Sequence, residues 1–340
     1  MLLNQDSKIS IILPTFNAEK YLEKTILSII NQNYKNFELI IIDNESKDNT
    51  INIVNKFKKK LNLKIINKKT KNLAEALNLG LEASKGKYIA RIDADDLIRK
   101  NRLIKQVEFL ENNMDYNIVG TNALRFKNNS FFIKPFIIDY DDVFMKISMI
   151  FNSPFIHPSV MIRKKFILEN NISYNIKYYE CEDYELWFNI LKKTKFKNLK
   201  YCGIYYRVHK QSASFKKRDK LNYFFNITNK KYLINLNINL SENQFRILRK
   251  ISLLDINKQD NFDNLNSCYL IILKKIETAL SKKYDKKLIF NFLQKKYSRF
   301  CIRSIQSNYF YPSKLKNNYF KINKIFILFI YFLYILKIKL

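Results

Sequence analysis

Tyr88-Ile-Ala-Arg-Ile-Asp-Ala-Asp-Asp96 is an apolar run that ends on three carboxylates, Asp93, Asp95 and Asp96. Its first five residues, Tyr88–Ile92, have the length and composition of a short buried strand. Carboxylates this close together repel one another, and burying them without a partner costs free energy. Mg²⁺ or Mn²⁺ would cancel their charge, because both ions prefer hard oxygen ligands. The alternative is an acidic loop or helix N-terminus in contact with solvent.

Three further apolar runs precede this one, separated by segments with helical periodicity. The runs are Ile9–Leu13, Leu39–Ile42 and Leu63–Ile66, and the helical segments are Ala18–Asn31, Asn49–Lys60 and Asn72–Ser84. Because the strands are almost entirely apolar and alternate with helices, they predict a mostly parallel sheet that is covered by helices on both faces.

Polar residues follow three of the four predicted strands. Pro14 and Thr15 end the first run, Asp43 the second, and Asp93 and Asp95 the fourth. Ligands bind at the carboxyl ends of strands in such sheets, and these ends meet at one edge. The convergence of three loops therefore favours a ligand site over a solvated acidic loop.

The composition limits the class of protein and its partners. The 340 residues are 47% hydrophobic and 15% aromatic, which is enough for a sizeable core and excludes a disordered chain. A net charge of +31 predicts an anionic partner such as a phosphorylated substrate or an anionic membrane surface. The lysines are dispersed and form no nucleic-acid-binding motif, so no nucleic acid is expected. The four cysteines show neither close pairing nor zinc-type spacing, which predicts reduced thiols in a cytoplasmic protein: Cys181, Cys202, Cys268 and Cys301.

The C-terminal part of the chain is rich in Lys and Asn and has a helical pattern. Ser241 and Gln244 predict a capping box at the start of an amphipathic helix. The apolar run Ile325–Leu336 is flanked by lysines and is shorter than the ~20 residues needed to span a bilayer. We expect it to lie in the inner face of the plasma membrane as a peripheral anchor, or else to pack on the protein.

In their order and spacing, these motifs resemble the inverting family-2 glycosyltransferases with the GT-A fold. Ile9–Glu19 is similar to the family's first nucleotide-binding strand and loop, and Asp43–Thr50 to the second. Leu73–Gly80 precedes Asp93-Ala-Asp95 as it does in the family, and Glu182-Asp183 is similar to its acidic pair before the acceptor-side helix. The resemblance implies a Rossmann-like GT-A domain over 1–215, with a nucleotide-binding half (1–100) and an acceptor half (101–215). A basic helical region over 216–340 follows, with a membrane-associating tail near 319–340.

The resemblance also assigns residues to the donor, a UDP-sugar. Pro14, Thr15 and Glu19 would line the uridine pocket. Asp43 would accept a hydrogen bond from the base, and Asp93 would contact the ribose or a metal-bound water.

Metal binding is implied at the end of the fourth strand and late in the domain. Asp95 would ligate a Mn²⁺ or Mg²⁺ ion that bridges the diphosphate, where it stabilises charge on the leaving group. His209 is a candidate second ligand, and Asp96 is the acid least expected to take part. Arg207 would contact the diphosphate or form a surface ion pair.

On the acceptor side, Asp183 is the expected catalytic base. An inverting transfer needs a base that takes the proton of the acceptor hydroxyl. The alternative is that Glu182 and Asp183 merely favour a helix N-terminus. Trp187 lies one turn later and could stack on a sugar, but a core position is favoured, and a structural hydrogen bond is favoured for His157.

Two departures from the family pattern refine the expected function. Asn44, Glu45 and Lys47 replace the usual residues of the second loop, and the Gln-x-x-Arg-Trp element of processive synthases is missing. We therefore expect transfer of one sugar from a UDP-sugar to a glycan or lipid-linked glycan, as in lipopolysaccharide or capsule biosynthesis. The alternative is a non-catalytic sugar-nucleotide-binding or membrane scaffold protein that keeps the fold.

Overall fold

A computed structural model describes residues 8–127, 134–138, 141–209, 218–253, 255–256 and 260–306. The predicted tail, including Ile325–Leu336, lies outside these residues. Within the described ranges, no helix combines the length and the apolar character that a membrane span requires. The chain forms two compact units, one of residues 1–149 and 153–229 and the other of residues 150–152 and 230–340.

The first unit is built on one sheet, whose strand order is β3-β2-β1-β4-β8-β6-β9-β5, with β7 paired to β6. The strands are β1 (Ile9–Thr15), β2 (Phe37–Asp43), β3 (Leu63–Asn67), β4 (Tyr88–Arg91), β5 (Leu97–Ile98), β6 (Tyr116–Phe126), β7 (Lys134–Phe136), β8 (Met161–Arg163) and β9 (Lys195–Arg207). All four predicted strands are present, each within two residues of its predicted bounds.

The four N-terminal strands are parallel, as predicted, and the rest of the sheet is mixed. In β1 and β2, Thr15 lies opposite Asp43, so the polar strand ends meet at one edge. Beyond β4 the sheet changes direction, because β8 pairs antiparallel with both β4 and β6. The regular strand–helix alternation ends near Asn101 in the sequence, and beyond it the sheet combines antiparallel pairs with one parallel pair, β6 and β9.

Helices cover the sheet and follow the predicted periodicity. Their bounds are α1 (Glu19–Ile30), α2 (Thr50–Asn55), α3 (Leu73–Ala83), α4 (Arg102–Asn112), α5 (Asp142–Ser148), α6 (Lys164–Glu169), α7 (Glu182–Ile190) and α8 (Arg218–Asn235), and a 3₁₀ helix spans His157–Ser159. Asn72 caps α3 by accepting a hydrogen bond from the backbone N–H of Glu75. The predicted helix Asn49–Lys60 is shorter in the structure, since α2 ends at Asn55.

The second unit contains three further helices, α9 (Glu242–Ser252), α10 (Phe262–Leu280) and α11 (Lys286–Gln306). The predicted capping box is confirmed, because Ser241 and the N3 residue Gln244 exchange side-chain and backbone hydrogen bonds. Phe262 and Phe300 stack with ring centroids 5.6 Å apart in its core. All four cysteines of the chain are free thiols.

Candidate active site

The carboxylate of Asp43 organises the ends of β1 and β2. It is buried and accepts hydrogen bonds from the Thr15 hydroxyl (2.9 Å), the Ser46 hydroxyl (2.6 Å) and the Ser46 backbone N–H (2.8 Å). Pro14 is half-buried and pairs with Ile42 in the same ladder. The predicted uridine-pocket residues Pro14 and Thr15 therefore lie beside the predicted base-binding carboxylate, Asp43.

Glu19 and Asp48 tie the loop after β1 to the loop after β2. The Glu19 backbone N–H donates to Asp48 (3.0 Å), and the Asn49 backbone N–H donates to the Glu19 carboxylate (2.9 Å). Asp48 also accepts from the Thr50 backbone N–H at the start of α2 (3.0 Å). Asp48 thus holds the backbone at the start of α2, and Glu19 lies at the edge of the sheet where the polar strand ends meet.

Asp93, Asp95 and Asp96 form a cluster that fits a divalent cation. Each offers a carboxylate oxygen, and these atoms lie within 4.8 Å of one another. Asp96 is almost fully buried, and its Oδ2 atom has no hydrogen-bond partner among the described residues. Burial, followed by the charges of Asp93 and Asp95, raises the pKa of Asp96 well above its usual range. A cation among these oxygens would relieve both the repulsion and the desolvation.

His209 and Arg207 bring the end of β9 to the acid cluster. The Nε2 atom of His209 lies 2.7 Å from Asp95 Oδ2. Arg207 donates from its backbone N–H to the Asp96 carboxylate (2.8 Å) and from its side chain to the Asp95 backbone carbonyl (2.7 Å). Its guanidinium lies over the rings of Tyr21 and Phe126, at 4.4 and 4.3 Å from their centroids. Arg207 is therefore a buried rather than a surface residue, and it holds the acidic loop.

Arg91 is a buried cation on β4 next to the acidic loop. Its side chain is only 5% exposed and donates to both carboxylate oxygens of Asp93, at 2.7 and 3.5 Å. Burial raises the pKa of Asp93, and the opposing charge of Arg91 lowers it, with a net rise. The ion pair fixes the direction in which the Asp93 carboxylate points.

Glu182 and Asp183 lie in the first turn of α7, and their environments differ. Glu182 is buried, and burial, together with the charge of Asp183, raises its pKa to about 8. Asp183 is half-buried and accepts a hydrogen bond from the Ser153 hydroxyl (3.4 Å). Burial also raises the pKa of Asp183, while Arg91 and the hydrogen bond from Ser153 oppose that rise. Of the two acids, Asp183 is the more accessible.

Electrostatic interactions connect the acids of α7 with the acids that follow β4. The charge of Asp183 contributes to the raised pKa of Asp93, and the charge of Arg91 lowers the pKa values of both. Because such interactions decay with distance, the first turn of α7 and the end of β4 lie close together. The structure thus brings together carboxylates that are 90 residues apart in the sequence.

The side chains of His157 and Trp187 are buried in the core of the first unit. His157 is buried, and its Nε2 atom lies 3.0 Å from the Tyr174 hydroxyl. Burial, followed by the charge of Arg91, lowers the pKa of His157 well below its usual range, so the ring is neutral. Trp187 is fully buried against Phe155, with ring centroids 5.0 Å apart. The structural interpretations of both residues are confirmed, and Trp187 is not available to stack on a sugar.

Three residues in the site were not predicted from the sequence: Arg91, Ser153 and Arg102. Arg102 is fully buried and donates to the backbone carbonyls of Arg91, Pro158 and Val160. Burial lowers the pKa of Arg102 to about 9. Arg91 carried one local signal, since a charged residue within a buried apolar strand needs a partner. Ser153 and Arg102 carried none, because the contacts that place them at the site, with Asp183 and with Pro158 and Val160, are distant in the sequence.

The chain belongs to glycosyltransferase family 2. The model of this family, "Glycosyl transferase family 2", matches residues 10–172. The chain is also 34% identical over 224 residues to WfaP of Escherichia coli, described as a UDP-Glc:α-D-GlcNAc-diphosphoundecaprenol β-1,3-glucosyltransferase, with 63% of this chain and 82% of that protein aligned. It is 34% identical over 212 residues to the E. coli O-antigen biosynthesis glycosyltransferase WbnJ, with 60% and 81% aligned.

Solved structures confirm the GT-A fold. The crystal structure of Staphylococcus aureus TarS 1–349 in complex with UDP superposes with a TM-score of 0.54 at 19% identity, covering 89% of this chain and 93% of that chain. The mannosyltransferase PcManGT from Pyrobaculum calidifontis, in complex with GDP-Man and Mn²⁺, gives a TM-score of 0.51 at 12% identity, covering 98% and 88%. The family membership identifies the chain as an inverting glycosyltransferase of the surface-glycan type.

Proposed function

We propose that this protein transfers one sugar from a UDP-sugar to a glycan or lipid-linked glycan, with Asp183 as the base. The observation that carries the proposal is that the first turn of α7, which bears Asp183, lies near Arg91 and Asp93 at the end of β4, close enough for their charges to affect one another's pKa values. A base within reach of the donor's anomeric carbon is what a direct displacement requires.

The donor would occupy the edge formed by the ends of β1, β2 and β4. Pro14, Thr15 and Glu19 would line the uridine pocket, and Asp43 would face the base. Asp93, oriented by Arg91, would lie on the ribose side. The relative WfaP, whose description names UDP-Glc, and the UDP complex of TarS support a uridine donor.

The acid cluster would hold Mn²⁺ or Mg²⁺. Asp95 and His209 would be ligands, since their side-chain atoms already lie 2.7 Å apart, and Asp93 and Asp96 offer further oxygens. The ion would neutralise the charge that develops on the diphosphate leaving group. Arg207 would act beside it by holding the backbone of the acidic loop in place.

Asp183 would accept the proton of the acceptor hydroxyl. At the same time the hydroxyl oxygen of the acceptor would attack the anomeric carbon of the donor, and the bond from that carbon to UDP would break. Attack from the face opposite the leaving group inverts the anomeric configuration. Glu182 is a poor base near neutral pH, because its pKa of about 8 keeps it largely protonated. The Ser153 hydroxyl would orient the Asp183 carboxylate.

The acceptor would be a lipid-linked glycan at the cytoplasmic face of the membrane. WfaP, whose described acceptor is diphosphoundecaprenol-linked, supports this class of acceptor. The net charge of +31 favours anionic headgroups and the phosphates of such an acceptor. The protein would bind peripherally through its lysines and the apolar segment Ile325–Leu336, which lies outside the described residues.

A donor panel tests the proposal. The purified protein would be incubated with UDP-glucose, UDP-galactose, UDP-N-acetylglucosamine and UDP-N-acetylgalactosamine, each with Mn²⁺ or with a chelator, and released UDP would be measured. We expect release from one or two donors that depends on the ion. Binding of UDP without release from any donor would instead favour a non-catalytic sugar-nucleotide-binding protein.

A further inference from the structure

A cluster of aromatic side chains lies next to the base-bearing helix and takes no part in the chemistry described so far. We define the aromatic platform as Tyr178, Tyr179, Tyr223 and Phe224. The Phe224 ring is at its centre, with centroid distances of 5.3 Å to Tyr178, 6.3 Å to Tyr179 and 5.1 Å to Tyr223. Tyr223 is 63% exposed and Tyr179 is 38% exposed. Large aromatic side chains gathered at the surface are typical of a binding surface.

The platform lies at the ligand-binding edge of the sheet. The loop that carries Tyr178 and Tyr179 is held by Asn72, whose side-chain amide donates to the Ile176 backbone carbonyl (2.7 Å). Asn72 is the N-cap of α3, the helix that follows β3 in the chain. It therefore lies at the carboxyl end of the parallel strands. The loop that carries Tyr178 and Tyr179 therefore lies at the same edge of the sheet as the proposed donor site.

The platform is also tied to the helix that carries Asp183. Tyr184 stacks on Phe225, with ring centroids 3.9 Å apart, and the Asn229 amide donates to the Tyr184 hydroxyl (2.8 Å). These contacts fix the middle of α8 against α7. Tyr179 is four residues from Asp183, a chain distance of at most about 14 Å, which a short oligosaccharide can span.

We infer that the aromatic platform binds a pyranose ring of the acceptor glycan, next to the sugar whose hydroxyl reacts. This inference rests on the proposed transferase function and adds to it an acceptor subsite. The C–H face of a pyranose is complementary to the electron-rich face of an aromatic ring. The ammonium group of Lys220, 5.8 Å from the Tyr179 ring centroid, would donate hydrogen bonds to hydroxyls at the edge of such a sugar.

A carbohydrate is favoured over a lipid surface by the position of the platform. The group that approaches Asp183 must carry the reacting hydroxyl, so the surface closest to the base meets sugar rather than lipid. Rigid tyrosines with exposed faces also bind with little loss of conformational entropy, which suits a weak and repeatedly exchanged ligand.

Direct binding of simple pyranosides tests the platform. The full-length protein would be saturated with UDP and Mn²⁺, and its binding to methyl α-glucopyranoside and methyl N-acetyl-β-glucosaminide would be measured by saturation-transfer NMR. We expect Tyr179→Ala and Tyr223→Ala to weaken binding about three- to tenfold, as the loss of an aromatic contact predicts. Tyr223→Phe keeps the ring and should bind like the wild type. Leu168→Ala, at a residue that is also 63% exposed but lies on α6, is the matched control.

Three results would overturn the inference. The first is the absence of a pyranoside signal in the wild type, and the second is an equal signal in the wild type and both alanine variants. The third is that the alanine variants lose binding to phosphatidylglycerol vesicles while their pyranoside signal persists. The last result would make the platform a lipid-binding surface. Donor hydrolysis separates this inference from the proposed function, because the platform variants should hydrolyse the donor like the wild type. A wild-type protein without donor hydrolysis would refute the proposed function, whatever the pyranosides show.

Discussion

Arg91→Met removes the positive charge that connects the donor-side acids with the acceptor-side pair. The guanidinium donates to Asp93 at 2.7 Å, and its charge lowers the pKa values of Glu182 and Asp183. Without that charge, the pKa of Asp183 rises above its already raised value. We therefore expect the acid limb of the transfer rate against pH to move to higher pH, because the base must be ionised to act.

The size of the effect follows from burial and charge. Opposite charges a few ångströms apart near a protein surface interact by up to about 4 kcal/mol, and one pKa unit corresponds to about 1.4 kcal/mol. Because each 1.4 kcal/mol of lost stabilisation of the ionised carboxylate corresponds to a factor of about ten, we expect the rate on the acid limb to fall roughly tenfold or more. At high pH, where Asp183 is ionised in either protein, the rates should converge. The variant should also be less stable. Breaking a buried ion pair lowers the free energy of unfolding by about 3–5 kcal/mol, and because the Asp93 side chain is 31% exposed, we expect a loss of about 1–3 kcal/mol.

The assay is the initial rate of transfer or donor hydrolysis from pH 5.5 to 9, together with thermal unfolding and UDP affinity. Arg163→Met is the matched control, since Arg163 is also a buried arginine, and its side chain donates to the Tyr88 hydroxyl (3.0 Å) and the Tyr116 backbone carbonyl (3.1 Å). That variant should lose stability without a change in the acid limb. If Arg91→Met lost stability but kept the wild-type acid limb, Arg91 would have only a structural role, and the electrostatic reasoning would be refuted.

Four further outcomes are expected. Asp183→Asn should abolish transfer and leave UDP binding, followed by calorimetry, almost unchanged; residual transfer near the wild-type rate would exclude Asp183 as the base. Asp95→Ala should remove the Mn²⁺ dependence of UDP binding, and an unchanged dependence would contradict the metal assignment. Glu182 has a pKa of about 8 in the folded chain against a usual 4.5, so the folded state keeps a proton that the unfolded chain releases, and the free energy of unfolding falls as the pH rises between these values. Glu182→Gln should remove this loss and gain stability relative to the wild type from pH 5 to pH 8.5 in denaturant titrations, whereas a constant difference would argue against the raised pKa. Truncation after Asn318 should move the protein from the membrane to the soluble fraction, and an unchanged distribution would favour a tail that packs on the protein.

Much of the nucleotide-binding half was predictable because its signals are local. Each parallel strand is an apolar run of four to seven residues, and each helix has an apolar face with helical spacing. The capping box at Ser241 depends on residues three apart, so the sequence contains all of it. The polar strand ends could be predicted to converge, since parallel strands present their carboxyl ends at one edge.

The structure of residues 101–215 depends on contacts between distant residues, which no local sequence pattern predicts. Beyond β4 the sheet continues through β8, which lies antiparallel between β4 and β6, and the sequence has no periodicity that predicts this order. Asp96 was the acid least expected to matter. In the fold it is buried against the backbone of Arg207, 111 residues away, and it has one carboxylate oxygen without a partner among the described residues.

The sequence by itself therefore determined the strand–helix order, the edge at which the polar strand ends meet and the identity of the acids, because these depend on residues close together in the chain. Only the tertiary structure decided which acids share a site, that Arg91 lies between them, and which of Glu182 and Asp183 remains accessible. Those properties depend on burial and on distances between remote segments, and both are set by the packing of the sheet. The charge on a carboxylate is a property of its surroundings, and the surroundings of these acids are complete only in the folded chain.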